Sequence, residues 1–158
     1  RAFTYLLKII KRSLKLDKGR DYDFSSDTAF KASLTELFNS FALLMSQTSP
    51  VLIGAQAVLL KNLPFWVQEL DNIFSQSDIA EFICQLISAD KRKGAESKSK
   101  INIGKLEVFS AIIESPIFDE PTARRVLVPL IFEHLNVLML RSDVGEVSAC
   151  VQVESKIP

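Results

Sequence analysis

From Val126 to Leu140 the chain reads VLVPLIFEHLNVLML, an apolar run broken by Glu133, His134 and Asn136, with Pro129 inside it. At about 100° per residue its apolar side chains fall nearly all the way round the axis. Leu130, Val137 and Val126 lie on one side and Leu135, Val128 and Met139 on the other. That pattern predicts a helix covered on both flanks by other elements. A membrane span needs roughly 18 or more uninterrupted apolar residues, and the three polar residues in mid-run rule against one.

The remaining segments each carry one apolar side. Residues 3–16, FTYLLKIIKRSLKL, place Phe3, Leu6, Leu7, Ile10 and Leu14 at helical spacing, with Lys8, Lys11, Arg12 and Lys15 in a basic stripe on another side. DKGRDYDFSS then reads as a loop. Ser25, Ser26 and Asp27 offer N-caps to a second helix. Phe30, Leu34, Leu37, Phe38, Phe41, Leu44 and Met45 line one face of it, while Thr35, Glu36 and Asn39 face away. Pro50 can begin a third helix, in which Gly54, Ala55 and Ala57 allow a neighbour to approach closely. Pro64 lacks the N–H that a helix interior needs, so a break and a new short helix are expected there, with Phe65, Trp66, Leu70, Ile73 and Phe74 as candidates for burial.

Ser75, Ser77 and Asp78 signal a restart. Ile79, Phe82, Ile83, Leu86 and Ile87 then form the next stripe, with Cys84 at its edge as a small hydrophobe. Residues 89–100, ADKRKGAESKSK, read as a charged, mobile loop. Ile101, Leu106, Phe109, Ile112 and Ile113 follow on a helix that Pro116 ends. Pro121 starts the central helix, and Pro129 should kink it or stagger its start. In the tail, EVSACVQV leans towards a further helix rather than a β-like edge.

The sum is an all-α protein of about six or seven helices with short connections and no convincing strand. A closed bundle and an α-solenoid compete. The central helix, the prolines and the chain ends favour an irregular, armadillo/HEAT-like solenoid, residues 1–158 forming one scaffold segment. No strict repeat at a fixed period is present. The chain begins at Arg1 without an apolar leader, which reads as a piece of something longer.

Composition changes this picture little. Hydrophobic residues make up 47% and charged ones 24%, which is globular. The 19 basic and 19 acidic residues cancel, so no general affinity for nucleic acid follows. The first twenty residues nonetheless carry seven positive charges and one negative. They form either a solvated helix face or a surface for acidic lipid or protein. Cys84 and Cys150 cannot build a disulfide framework, and a reducing compartment is the easier reading. The single histidine, His134, has no cysteine or second histidine nearby and reads as a satisfied core or edge residue, not a ligand or catalyst. No phosphate-binding glycine motif is present. Catalytic, cofactor-binding and metal residues are therefore all assigned as none, and no cofactor is expected.

Four stretches are similar, in their order, to the middle helical region of DOCK-type guanine nucleotide exchange factors. They are FKASLTELFNSFALLM, AQAVLLKNLPFWVQELDNIF, IAEFICQLI and IIESPIFDEPTARRVLVPLIFEHL. The residues that carry the resemblance are Leu44-Met45, Leu63-Pro64, Ile73-Phe74, Ser115 to Phe118, Ala123-Arg124 and Val128 to Leu130. It spans roughly residues 3–140; the loop 89–100 and the tail after Arg141 depart from it. The resemblance implies a non-catalytic, armadillo-like scaffold within a cytoplasmic, membrane-recruited protein that activates Rac-type GTPases in cytoskeletal signalling. It also implies a Rac-type GTPase, an ELMO-type adaptor and a phosphoinositide membrane as partners of the whole protein, with neighbouring domains as partners of this segment. The family's exchange residues lie outside the matched region, so no site residue carries over. The alternatives from other classes are an independent HEAT-like interaction module and a small helical enzyme.

Overall fold

A computed structural model describes residues 2–90, 98–139 and 144–157. Among the described residues eight α-helices follow one another: α1 (Ala2–Lys18), α2 (Thr28–Ser46), α3 (Ile53–Leu70), α4 (Gln76–Ser88), α5 (Lys98–Ile113), the single turn α6 (Pro116–Asp119), α7 (Pro121–Met139) and α8 (Val144–Glu154). Short 3-10 turns at Phe24–Ser26 and Pro50–Leu52 lead into α2 and α3. No strand occurs among the described residues.

The packing order makes this an irregular solenoid. Along one layer α1 packs on α3, α3 on α5 and α5 on α8; along the other α2 packs on α4 and α4 on α7. From α1 to α5 each helix thus packs on the second long helix after it, the single turn α6 not being counted, and the apolar faces of both layers meet in one core. Rings tie the layers together at the N-terminal end. Phe3 of α1 meets Phe38 and Phe41 of α2 edge-on and Trp66 of α3 at 4.9 Å, while Phe38 stacks on Phe82 of α4 at 5.1 Å. Such contacts add directionality to the burial of large rings.

Local chemistry sets most of the helix ends. Asp27 caps α2, its Oδ1 accepting from the Phe30 N–H at 2.9 Å. Ser75 and Asp78 form a reciprocal capping box that starts α4. Pro121 opens α7, where a missing N–H costs nothing. At the other end of α2, the buried Gln56 of α3 reaches across and donates from Nε2 to the carbonyls of Leu44 and Gln47, each at 2.8 Å. The Leu44 carbonyl also accepts from the Gln47 N–H at 3.2 Å, so Gln56 completes the C-terminal end of α2, where carbonyls run short of helical partners.

Several expectations change. The helix does not break at Pro64: α3 runs through it, and Leu63, Trp66, Val67 and Leu70 are all buried. Burial on either side of the proline holds one axis against the lost hydrogen bond. Phe65 is exposed. By length and composition Pro50–Leu70 could cross a membrane, yet its buried side chains pack against α1 and α5. Gly54 is not the point of close approach; Gly104 of α5 is, facing Leu60 of α3. Pro129 likewise lies inside an uninterrupted α7.

That helix is not covered all round, because α7 ends its layer with α4 on one side only, and Phe132, Val137 and Met139 reach solvent. The helix covered over the widest arc is α5, between α3 and α8. It begins at Lys98, within the stretch expected to be a loop; residues 91–97 of that stretch lie outside the described residues. The tail does form a helix, α8, with Cys150 and Val153 buried against α5 and α7.

Candidate interaction surface

The basic stripe of α1 divides in the structure. Lys11 turns inward: its Nζ donates to the Glu69 carbonyl oxygen at 3.1 Å and lies 3.7 Å from the Glu69 carboxylate. Lys8 reaches the same carboxylate at 3.1 Å. A cation placed at the last turn of α3 is favoured by the carbonyls that end there, so two of the four basic residues fasten α1 to α3. Lys15 lies over the Phe24 ring at 5.6 Å from its centre, and Lys11 over the same ring at 5.7 Å. Arg12 stays in solvent.

Two shallow concavities meet along this side. One of about 320 Å³ is lined by Lys8, Lys11, Arg12, Lys15, Leu16 and Arg20. The other, about 360 Å³, shares Lys11 and Lys15 and continues to Tyr22, Phe24, Asn72 and one carboxylate, that of Asp23. Its floor is fixed by the turn between α1 and α2. There Lys18 lies 3.5 Å from Asp27 and donates to the Tyr22 hydroxyl at 3.3 Å, and that hydroxyl donates in turn to Asp27. The hydrogen bond from Tyr22, with that from the Phe30 N–H, holds the Asp27 carboxyl below its usual range. The surface is cationic and concave, and it suits an anion or an acidic side chain.

The apolar side of α1 was only partly legible. Phe3, Leu7 and Leu14 pack on the core as expected and Ile10 is half-buried, but Leu6 is exposed. Tyr5, Ile9 and Leu16, which the periodicity did not single out, are exposed beside it. Only the identity of α1's neighbours could have separated the two apolar sides.

A second polar cluster lies inside the fold. Lys105 of α5 sits 3.1 Å from Asp90, which follows α4, and both side chains are nearly fully buried. His134 of α7 is close by. Its Nδ1 lies 3.0 Å from the Leu130 carbonyl, which can only accept, so Nδ1 carries the proton. Its ring meets Phe109 edge-on at 5.6 Å. Burial and the Lys105 charge lower the His134 pKa from the usual imidazole value. Sequence reasoning missed this cluster, although Lys105 stands four residues from both Ile101 and Phe109 and therefore on their face. Cys84 is half-buried, and burial pushes its thiol up to about 11, which leaves it an inert packing residue. Among the described residues no group of three or more His, Cys, Asp or Glu could hold a metal ion.

A family model described as the dedicator of cytokinesis (DOCK) TPR region matches residues 1–158. The chain is 27% identical over 139 residues to dedicator of cytokinesis protein 3 of Mus musculus, and equally to that of Homo sapiens. That alignment covers 86% of this chain and 7% of the relative. Against dedicator of cytokinesis protein 4 of Homo sapiens the identity is 23% over 160 residues, covering 99% of this chain and 8% of the relative. The chain thus spans less than a tenth of the curated relatives it matches. No solved structure matches it. What the match covers is the helical TPR region of that family.

Proposed function

The chain belongs to the DOCK TPR-region family, and from that premise we propose that it is the helical spacer of an exchange factor that activates Rac-type GTPases. The observation that supports this reading is the family match along all 158 residues, together with a fold made of two stacked helical layers. Such a layer structure holds flanking domains at a set distance and angle, because each helix is fixed by its neighbours along the layer. In this reading the exchange region, the ELMO-type adaptor site and the phosphoinositide-binding site lie elsewhere in the parent protein. The parent is cytoplasmic and is recruited to the membrane, and residues 1–158 act as one segment.

Nucleotide release from a loaded Rac-type GTPase tests the reading. The parent protein should accelerate release, and the purified chain should leave it at the intrinsic rate. Acceleration by the chain alone, or none by the parent, would overturn it.

A further inference from the structure

Four large apolar side chains of α1 stand in solvent: Tyr5 is 71% exposed, Leu6 53%, Ile9 63% and Leu16 81%. On a helix of about 3.6 residues per turn, Tyr5, Ile9 and Leu16 fall within roughly 40° of one another, with Leu6 further round. They lie opposite Leu7 and Leu14, which pack on the core. Contiguous apolar exposure edged by polar groups marks interaction surfaces.

The cationic edging is one-sided. Along the flank nearer α3 run Lys8, Arg12 and Lys15, with Arg20 beyond the helix end, while the other flank carries Ala2, Ser13 and the exposed carboxylate of Asp17. Lys8 is paired with Glu69. Arg12, Lys15 and Arg20 make no ion pair among the described residues. An apolar stripe with an unneutralised cationic row along one side is complementary to a helix of opposite pattern.

We propose that the outer face of α1 docks an acidic amphipathic helix of a partner protein. Its apolar side chains lie on Tyr5, Ile9 and Leu16, and its carboxylates face Arg12, Lys15 and Arg20. Two other occupants fit less well. A helix continuing the layer away from α3 would stack on Leu6 and Ala2 and leave the cations unused. A bilayer is flat, whereas the cations line a concavity of about 320 Å³, which takes individual side chains. The proposal stands apart from the exchange-factor reading and survives its failure.

Fluorescence anisotropy with a labelled synthetic peptide of about five helical turns tests it. The peptide carries Leu at the i, i+4, i+7 positions and Glu along one flank. It should saturate on the chain, and a Gln-for-Glu version should bind roughly tenfold more weakly or worse. Ile9→Asp should weaken binding about as much. Arg12→Glu with Lys15→Glu should also weaken it, and a Lys-for-Glu peptide should restore binding to that double variant. All three positions are exposed, so thermal melts should stay unchanged. Equal binding of the Gln peptide would assign the face to a neutral stacking helix instead. Capture by phosphatidylserine vesicles that Ile9→Asp abolishes, with no peptide binding, would assign it to membrane. No binding to either probe would overturn the proposal outright.

Discussion

The Lys105 ammonium lies 3.1 Å from the Asp90 carboxylate, with the two side chains only 6% and 5% exposed. The pair ties α5 to the residue where α4 hands over to the next segment. Removing one member of a buried pair strands the other charge in a poorly solvated site, which costs about 3–5 kcal/mol; replacing both by apolar residues is often neutral. Asp90→Ala should therefore lower stability by that amount, and Asp90→Leu with Lys105→Met should lose clearly less than the single change. Urea midpoints of the three proteins decide it. A single-variant loss under about 1 kcal/mol would mean that water or rearrangement relieves Lys105.

Phe38 and Phe41 both sit on the aromatic face of α2, but not equally. Phe38 is buried between Phe3, Phe41 and Phe82, whereas Phe41 is half-buried against Phe3 and Trp66. Phe38→Ala should cost on the order of 3–5 kcal/mol, and Phe41→Ala should cost less. Asn39→Ala, on the exposed side between them, should stay within about 0.5 kcal/mol. Equal losses at Phe38 and Asn39 would show that α2 is rotated about its axis.

These residues show what the sequence could carry. The start of α2 at Asp27, of α4 at Ser75 and of α7 at Pro121 was readable because caps and prolines act within a few residues. The inward face of α2 was readable because periodicity records polarity directly. What failed depended on neighbours far along the chain. Pro64 should have broken a helix in isolation, yet α1 and α5 hold the helix intact around it. The apolar run of α7 looked wholly buried, but only its place at the end of a layer leaves Phe132 and Val137 outside. In the candidate surface the cations were evident. The partnership of Lys8 and Lys11 with Glu69, 58 residues on from Lys11, was not.

Two helical glycines make opposite predictions. A Cβ on Gly54 would meet nothing within 4 Å, whereas one on Gly104 would come to 3.2 Å from Leu60 Cδ1 and 3.4 Å from Leu60 Cβ. Alanine relieves the entropic cost of helical glycine by roughly 0.5–1 kcal/mol. Gly54→Ala should gain about that much. Gly104→Ala should lose it to overpacking, which costs about 1–3 kcal/mol, because Leu60 is fully buried and its Cδ1 has little room to give way. Thermal melts in parallel check both. A stabilised Gly104→Ala would mean that α3 and α5 separate easily, contrary to the tight approach between them.

His134 gives the fold a pH dependence whose sign follows from its surroundings. Burial disfavours the imidazolium first, and the Lys105 charge adds to this. The Leu130 carbonyl and the carboxylates of Glu133 and Asp90 act the other way without outweighing them. The folded pKa thus lies below the ordinary value of 6.5. As pH falls below that value, the unfolded chain takes up a proton that the folded chain refuses, and stability drops. The contribution is complete above the ordinary imidazole pKa and is lost as pH falls through the folded one, with no further loss beneath it. The difference in unfolding free energy between the native chain and His134→Gln, followed from neutral to mildly acid pH, isolates this group from the carboxylates. The native chain should lose stability relative to the variant across that window, and the imidazole C2–H resonance should titrate below its ordinary midpoint. A flat difference curve with an ordinary midpoint would show that the ring is solvated and feels Lys105 weakly. A curve of opposite slope would place a carboxylate, rather than Lys105, as its dominant neighbour.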